Sequence, residues 1–236
     1  MFWQELNNKR TRQLQQWLQN KSVIVVGNSV RMMEQEYGEL IDSYDVVVRL
    51  GKGLTEPRLY ANIGSKTHVW FSGMLRAGMY KHVDCPWKIL TLSSSSMFDP
   101  HTPFVPLNKV LFQDDFQPYR NYFWAESIEG TRQHWIGLGF DKDNRPSQGL
   151  ICVDWLCRLV QHTSFDVIGF DFFEAKITVN NTEYTSWHMP RKVTTEQEVA
   201  HSNQLEKQTM HSLQHKYGFK LLSYFNHTSN QVSTPT

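Results

Sequence analysis

Residues 22–51 read SVIVVGNSVRMMEQEYGELIDSYDVVVRLG, and this stretch decides the fold class. SVIVVG (Ser22 to Gly27) and DVVVRLG (Asp45 to Gly51) are continuous apolar, β-branched runs, the pattern of strands covered on both faces. RMMEQEYGELID between them is expected to be a helix. Strand, helix and strand in this order point to a parallel pair with the helix packed on one face.

The same alternation continues outward. THVWFSG (Thr67 to Gly73), KILTLSS (Lys88 to Ser94), KVLFQD (Lys109 to Asp114), FDVIGFDFF (Phe165 to Phe173) and KLLSYF (Lys220 to Phe225) are expected strands. GLICVDWLCRLVQH, after Gln148, is a strongly apolar helix. Gln4 to Gln19, within the first 20 residues, forms a docking helix with Phe2, Leu6, Leu14 and Leu18 loosely spaced at helical period. Ala175 to Val193 turns polar and aromatic, as a long loop or small hairpin does. Thr195 and Glu198 have capping-box spacing for a helix that Gly218 stops, and residues 226–236 form a flexible tail. The expectation is an α/β fold: a single domain over residues 1–236, its mostly parallel sheet flanked by helices.

Composition narrows the function classes. With 24 Lys+Arg against 23 Asp+Glu the net charge is +1, so the chain lacks the basic field that non-specific nucleic-acid binding needs. Hydrophobic residues make up 40%, including 14 Phe and 8 Trp, which excludes a disordered chain. Cys85, Cys152 and Cys157 are an odd set without a CxxC, pointing to neither a disulfide framework nor a zinc site. No run approaches the roughly 18 apolar residues of a membrane span. The start lacks the apolar core of a secretory signal. The expected location is cytoplasmic, at most peripheral to an inner membrane; a trimmed luminal domain of Golgi type fits less well.

Three turns can carry chemistry. In VVGNS, Asn28 and Ser29 stand where a strand gives way to a helix, a place where backbone N–H groups hold phosphate or where a side chain merely caps. RPSQG brings Ser147, Gln148 and Gly149 to the start of the most apolar helix, with the same two readings. IGFD ends a buried strand at Gly169 and Phe170, where a missing Cβ permits close approach of a ligand or tight packing. His201 and Glu206 form an HxxxxE pair, and on an ideal helix about 140° separates them, unlike the zinc-binding HExxH. His188 lies in the polar loop beside Trp187. No Asp-x-Asp pair is picked out as a metal bridge to a diphosphate, so no metal site is assigned.

In this order the segments resemble the sialyltransferase family of the eukaryotic type, which transfers sialic acid from CMP-sialic acid. VVGNSVRMMEQEYGELIDSYDVVVRLG is similar to its first long motif, with the Ile-Asp-x-x-Asp step and Arg49, and ANIGSKTHVWF to the Gly-x-Lys-Thr continuation. RPSQGLICVDWLCRLVQHTSFDVIGFDFF resembles its second motif, His188 the histidine of a short third motif, and His201 with Glu206 the closing His-x-x-x-x-Glu. Val30, Gln148 and Gly51 depart from it, standing where the family has a glycine, a threonine and a nucleotide-contacting asparagine. The cysteines that join the two large motifs in Golgi enzymes are also missing, which fits a bacterial or viral member.

The resemblance implies a single Rossmann-like domain of GT-A type and an inverting, metal-independent glycosyltransferase, with a CMP-sugar as donor substrate and no cofactor. His201 would be the general base and His188 would meet the leaving phosphate. Asn28, Ser29, Gly51, Ser147, Gln148, Gly149, Gly169 and Phe170 would line the nucleotide pocket. The partners would be a CMP-activated acidic sugar and a glycan acceptor, with CMP-Kdo as the alternative donor. Ser93 to Phe104 and Phe116 to Gly130 would be acceptor loops, with Tyr119, Tyr122, Phe123 and Trp124 either stacking on sugar or filling core. A nucleotide- or glycan-binding module without turnover is the competing class. A dinucleotide-dependent oxidoreductase is disfavoured because GxGxxG is missing.

Overall fold

The computed structural model describes residues 2–53, 56–73, 84–91, 98, 122–124, 128–159, 165–175, 177–179, 182–184 and 203–222. Its elements are α1 (Phe2–Leu18), β1 (Val23–Val26), a 3-10 turn (Val30–Met33), α2 (Gly38–Asp42), β2 (Val46–Leu50), a second 3-10 turn (Pro57–Leu59), α3 (Tyr60–Ile63), β3 (Val69–Gly73), β4 (Trp87–Thr91) and β5 (Tyr122–Trp124). Then come α4 (Ile128–Gly137), α5 (Gln148–Leu159), β6 (Phe165–Ile168), β7 (Ile177–Val179), β8 (Thr182–Tyr184), α6 (Asn203–Tyr217) and β9 (Lys220–Leu221).

Seven strands form one sheet in the order β5-β4-β3-β2-β1-β6-β9. Every adjacent pair in it is parallel. The continuous apolar runs explain this, because both faces are covered. Val23 and Val25 point into a core shared with Leu14 and Leu18 of α1, Trp135 of α4, Met210 and Leu213 of α6 and most of α5. Ile24 and Val26 point the other way, to Met32, Tyr37, Ile41 and Ile63. The docking helix α1 therefore docks on the protein's own core. In α5, Asp154 is buried but paired, with Arg158 Nη2 at 2.5 Å and His134 Nε2 at 3.1 Å.

Several sequence expectations change. Residues 31–42 are not one helix: the 3-10 turn stops at Met33 and α2 starts at Gly38. On a straight helix Met32 and Tyr37 would lie about 140° apart; the break lets both, and Ile41, enter one core. The strand expected over 165–173 ends at Ile168, because Gly169 takes φ +82° and the Asp171 carboxylate accepts from the N–H groups of Phe173 and Ala175. Within the expected loop 116–130, residues 122–124 are strand β5 and 128–130 open α4. The polar segment after Ala175 does contain a small hairpin, β7–β8. The expected strand 109–114, the helix start at Thr195, the tail 226–236 and Tyr119 lie outside the described residues.

The chain order sets the place of a ligand. From β1 the strands proceed outward to β5, and β6 then returns to the other side of β1. In open parallel sheets the crevice opens beyond the carboxyl ends of the two strands flanking such a reversal, here β1 and β6.

Candidate functional site

Val26 of β1 pairs with Ile168 of β6, so the next residues, Gly27 and Gly169, lie side by side at that reversal. Gly27 N–H donates to Ile168 O at 2.7 Å and Ser29 N–H to Gly169 O at 3.2 Å. A Cβ at Gly27 would stand 2.1 Å from Gly169 O, so any side chain there displaces backbone. Ser29 Oγ accepts from Arg31 N–H at 3.1 Å and caps the following 3-10 turn.

The turn after β2 closes on the same place. Asn28 Nδ2 donates to Leu50 O at 3.2 Å, and a Cβ at Gly53 would fall 1.9 Å from Asn28 Oδ1. Gly51, at φ +52°, accepts from Trp70 Nε1 at 2.7 Å and donates to Phe71 O at 2.8 Å. At the start of α5 a Cβ on Gly149 would lie 2.5 Å from Phe170 Cε1 and 3.4 Å from Leu50 Cδ1. The Phe170 ring thus packs against the first turn of α5. Asn28, Ser29, Gly51, Gly149, Gly169 and Phe170 meet in one cluster, with Ser147 and Gln148 at its edge. Gly53 belongs with them and was not singled out in the sequence.

Ser147 is the N-cap of α5: its Oγ accepts from Leu150 N–H at 3.2 Å and its carbonyl from Ile151 N–H at 3.0 Å. Both of its own donors go to Glu206 of α6. The Ser147 N–H bonds Oε1, and the hydroxyl bonds Oε2 at 2.7 Å. Glu206 is only 2% exposed. Burial pushes its carboxyl up to about 7, and the two bonds from Ser147 restrain the rise. Next to it, Gln148 Nε2 is buried without a hydrogen bond among the described residues.

The remaining residues that carry the resemblance are scaffold. The Asp42 carboxylate accepts from Ser65 N–H at 2.8 Å, Lys66 N–H at 3.0 Å and Ser65 Oγ at 2.8 Å. Burial alone would raise Asp42, but these bonds outweigh it and hold the carboxyl below its usual value. Asp45 accepts from Ser22 N–H at 2.9 Å and Ser22 Oγ at 2.8 Å. Arg49 is fully buried and donates to Lys66 O at 2.9 Å and Ile63 O at 2.6 Å; burial pulls its guanidinium down to about 10. Asp42 and Arg49 thus tie the Gly64–Lys66 turn to α2 and β2, and Asp45 ties the entry of β1 to that of β2.

His188 and His201 lie outside the described residues, so the proposed acid–base groups are not placed relative to this cluster. The chain does hold one Asp-x-Asp triplet, Asp141-Lys142-Asp143, just before the Ser147 turn, and it was not picked out in the sequence. Asp141 Oδ1 accepts from Asp143 N–H at 2.8 Å and Asn144 N–H at 2.6 Å, closing its own turn. Among the described residues no three His, Cys, Asp or Glu side chains gather as a metal site, and no helix is long and apolar enough to cross a membrane.

Comparison with known proteins adds an independent line. The model of glycosyltransferase family 29 (sialyltransferase) matches residues 2–218. Over 50 residues the chain is 44% identical to the beta-1,6-galactosyltransferase GALT29A of Arabidopsis thaliana; the match spans 21% of this chain and 12% of that relative. Among solved structures, a mammalian sialyltransferase in complex with Gal-beta-1-3GalNAc-ortho-nitrophenol superposes with a TM-score of 0.51 at 16% identity, over 92% of this chain and 78% of that one. The sialyltransferase CST-II, a Campylobacter jejuni protein, in complex with trisaccharide acceptor and CMP gives 0.50 at 16% identity, over 85% and 80%. At these identities the superpositions establish a shared Rossmann-like α/β fold.

Proposed function

The chain belongs to glycosyltransferase family 29, and from that premise we propose that it transfers sialic acid from CMP-sialic acid to a glycan hydroxyl, inverting the anomeric centre and using no metal. The observation that carries this reading is the cluster at the β1/β6 reversal. Two glycines in backbone contact, two serine-capped turns and a ring packed on the start of α5 frame the crevice where this sheet topology places nucleotides.

In this reading Asn28, Ser29, Gly51, Ser147, Gln148, Gly149, Gly169 and Phe170 line the CMP pocket, and N–H groups at the turn starts meet the phosphate or the sugar carboxylate. The acceptor oxygen bonds to the anomeric carbon as the bond from that carbon to the phosphate oxygen breaks. CMP leaves with the electron pair, and His201 takes the hydroxyl proton, a task suited to an imidazole. His188 hydrogen-bonds the leaving phosphate and offsets its growing charge. Buried thiols at Cys85, Cys152 and Cys157 support placing the enzyme in a reducing cytoplasm.

A second donor class has its own support: the Arabidopsis relative is a galactosyltransferase by name. The deciding experiment incubates the protein with CMP-sialic acid, CMP-Kdo or UDP-galactose, with and without glycan acceptors and in EDTA, and follows nucleotide release. Acceptor-dependent CMP release from CMP-sialic acid in EDTA is expected. Release from UDP-galactose alone replaces the donor, dependence on added manganese removes the metal-free step, and binding without release reduces the protein to a module. His201→Ala should cut turnover by roughly 10²–10⁴-fold with CMP affinity unchanged. His188→Ala should weaken both. A folded His201→Ala protein that transfers at the wild-type rate overturns the mechanism.

A further inference from the structure

The carboxylate of Glu206 does more than an N-cap requires. Ser147 already caps α5 through its own Oγ and carbonyl, which satisfy the N–H groups of Leu150 and Ile151. Glu206 then takes the two donors Ser147 has left, one from the main chain and one from the side chain, and so fixes that residue at two points. It does so from another helix, 59 residues further along the chain.

The energetics argue that position, rather than packing, is what this residue provides. Thr209, Met210 and Leu213 already bury the inner face of α6. A carboxylate in the same interface carries a desolvation cost that an apolar side chain of similar size would not. Two residues beyond Ser147, Gly149 holds the Phe170 ring at contact distance, and Phe170 follows Gly169 at the strand reversal. A shift of the α5 start therefore moves the wall of the crevice directly.

We propose that Glu206 is a positioning residue for the donor site: through Ser147 it locks the first turn of α5, with Gly149 and Phe170, against the β1/β6 crevice. This rests on the CMP-site reading above. Glu206 touches no reacting atom in this role.

The test measures CMP binding by calorimetry, donor and acceptor KM, and thermal stability for wild type, Glu206→Ala, Glu206→Gln, Ser147→Ala and the double variant. Glu206→Ala should weaken CMP and raise donor KM by about tenfold, a loss of about 1.4 kcal/mol, with acceptor KM within about twofold. Glu206→Gln retains an oxygen for the Ser147 N–H and an amide that the hydroxyl can accept, and should recover CMP affinity to within about threefold. The double variant should bind CMP no more weakly than Glu206→Ala, because the two residues act through one contact. If Glu206→Ala does not fold, Glu206→Asp draws the carboxylate back by one methylene and should weaken CMP several-fold. A folded Glu206→Ala or Glu206→Asp protein with wild-type CMP affinity and donor KM, whatever its melting temperature, overturns the proposal. A wild type that binds neither CMP nor UDP overturns the donor-site reading itself; one that binds UDP alone has the same ratios read with UDP.

Discussion

At the turn after β1, backbone meets backbone: Gly27 lies so close to Gly169 that a Cβ would stand 2.1 Å from a carbonyl oxygen, and Ser29 caps the turn from two residues away. At the turn before α5 the contact is a side chain's from a distant helix, with the N–H and the hydroxyl of Ser147 held by the buried carboxylate of Glu206. The first turn is fixed by steric exclusion, which tolerates no added atom and is indifferent to pH. The second is fixed by two hydrogen bonds to an ionisable group, which tolerate small changes of shape but respond to charge. In a crevice with one wall of each kind, the β1 side is set by backbone contact while the α5 side depends on the packing of α6.

That contrast breaks most readily at Gly27. Gly27→Ala is expected to cost about 3 kcal/mol or more through overpacking, a fall in melting temperature of roughly 6–12 °C for a chain of this size. Gly51 is the control: its Cβ position meets nothing within 4 Å among the described residues, where φ +52° is what opposes a side chain, a strain of about 1–2 kcal/mol. Thermal unfolding in which Gly27→Ala melts no lower than Gly51→Ala would show that the steric wall is not there.

The two serines sharpen the comparison at smaller scale. Ser147→Ala removes the cap of a long helix and leaves the buried Glu206 with one donor fewer, so urea denaturation should report a loss of about 2 kcal/mol. Ser29→Ala removes the cap of a four-residue turn and should cost less than about 1 kcal/mol. Equal losses would mean that Glu206 adds nothing to Ser147.

The pH response of the second wall is of similar small size. The folded Glu206 carboxyl is raised to about 7 from an ordinary 4.5. Its contribution is therefore full below about pH 4.5 and is lost as pH rises through 7, by the order of 1 kcal/mol between pH 6 and 8. Glu206→Gln should lack this decline, so the difference between its stability and that of wild type should grow in the variant's favour as pH rises. His134, raised by its bond to Asp154, loses its contribution in the same direction, but it is present in both proteins and cancels in the difference. A flat difference curve would place the Glu206 titration outside this range.

How much of this was legible beforehand follows from the range of each interaction. The runs at Val23–Val26 and Val46–Leu50 announce buried parallel strands, since only two covered faces make every position apolar. Gly27, Asn28 and Ser29 stand out because a strand-to-helix turn needs a small residue and a cap. The unbroken helix over 31–42 was misread because its composition suits a helix, while burying Met32, Tyr37 and Ile41 in one core requires a break. The strand through Phe173 was misread for a related reason: Phe170 and Phe172 look like strand core, but their rings pack on α5 and beside His211 from a turned backbone.

Glu206 is the clearest division between the two kinds of information. The sequence marked it, paired with His201, and helical geometry put the two on different faces. Its partner is Ser147, which no spacing rule could supply, because the contact exists only once α5 and α6 pack together over the sheet. The sequence by itself determined the strands, the reversal-prone glycines and the caps, all of which depend on residues within one or two turns of each other. The tertiary structure alone decided which turns face one another, what the buried carboxylates hold and how α5 is set against the crevice, because those are consequences of strand order and of desolvation, and both are properties of the packed chain.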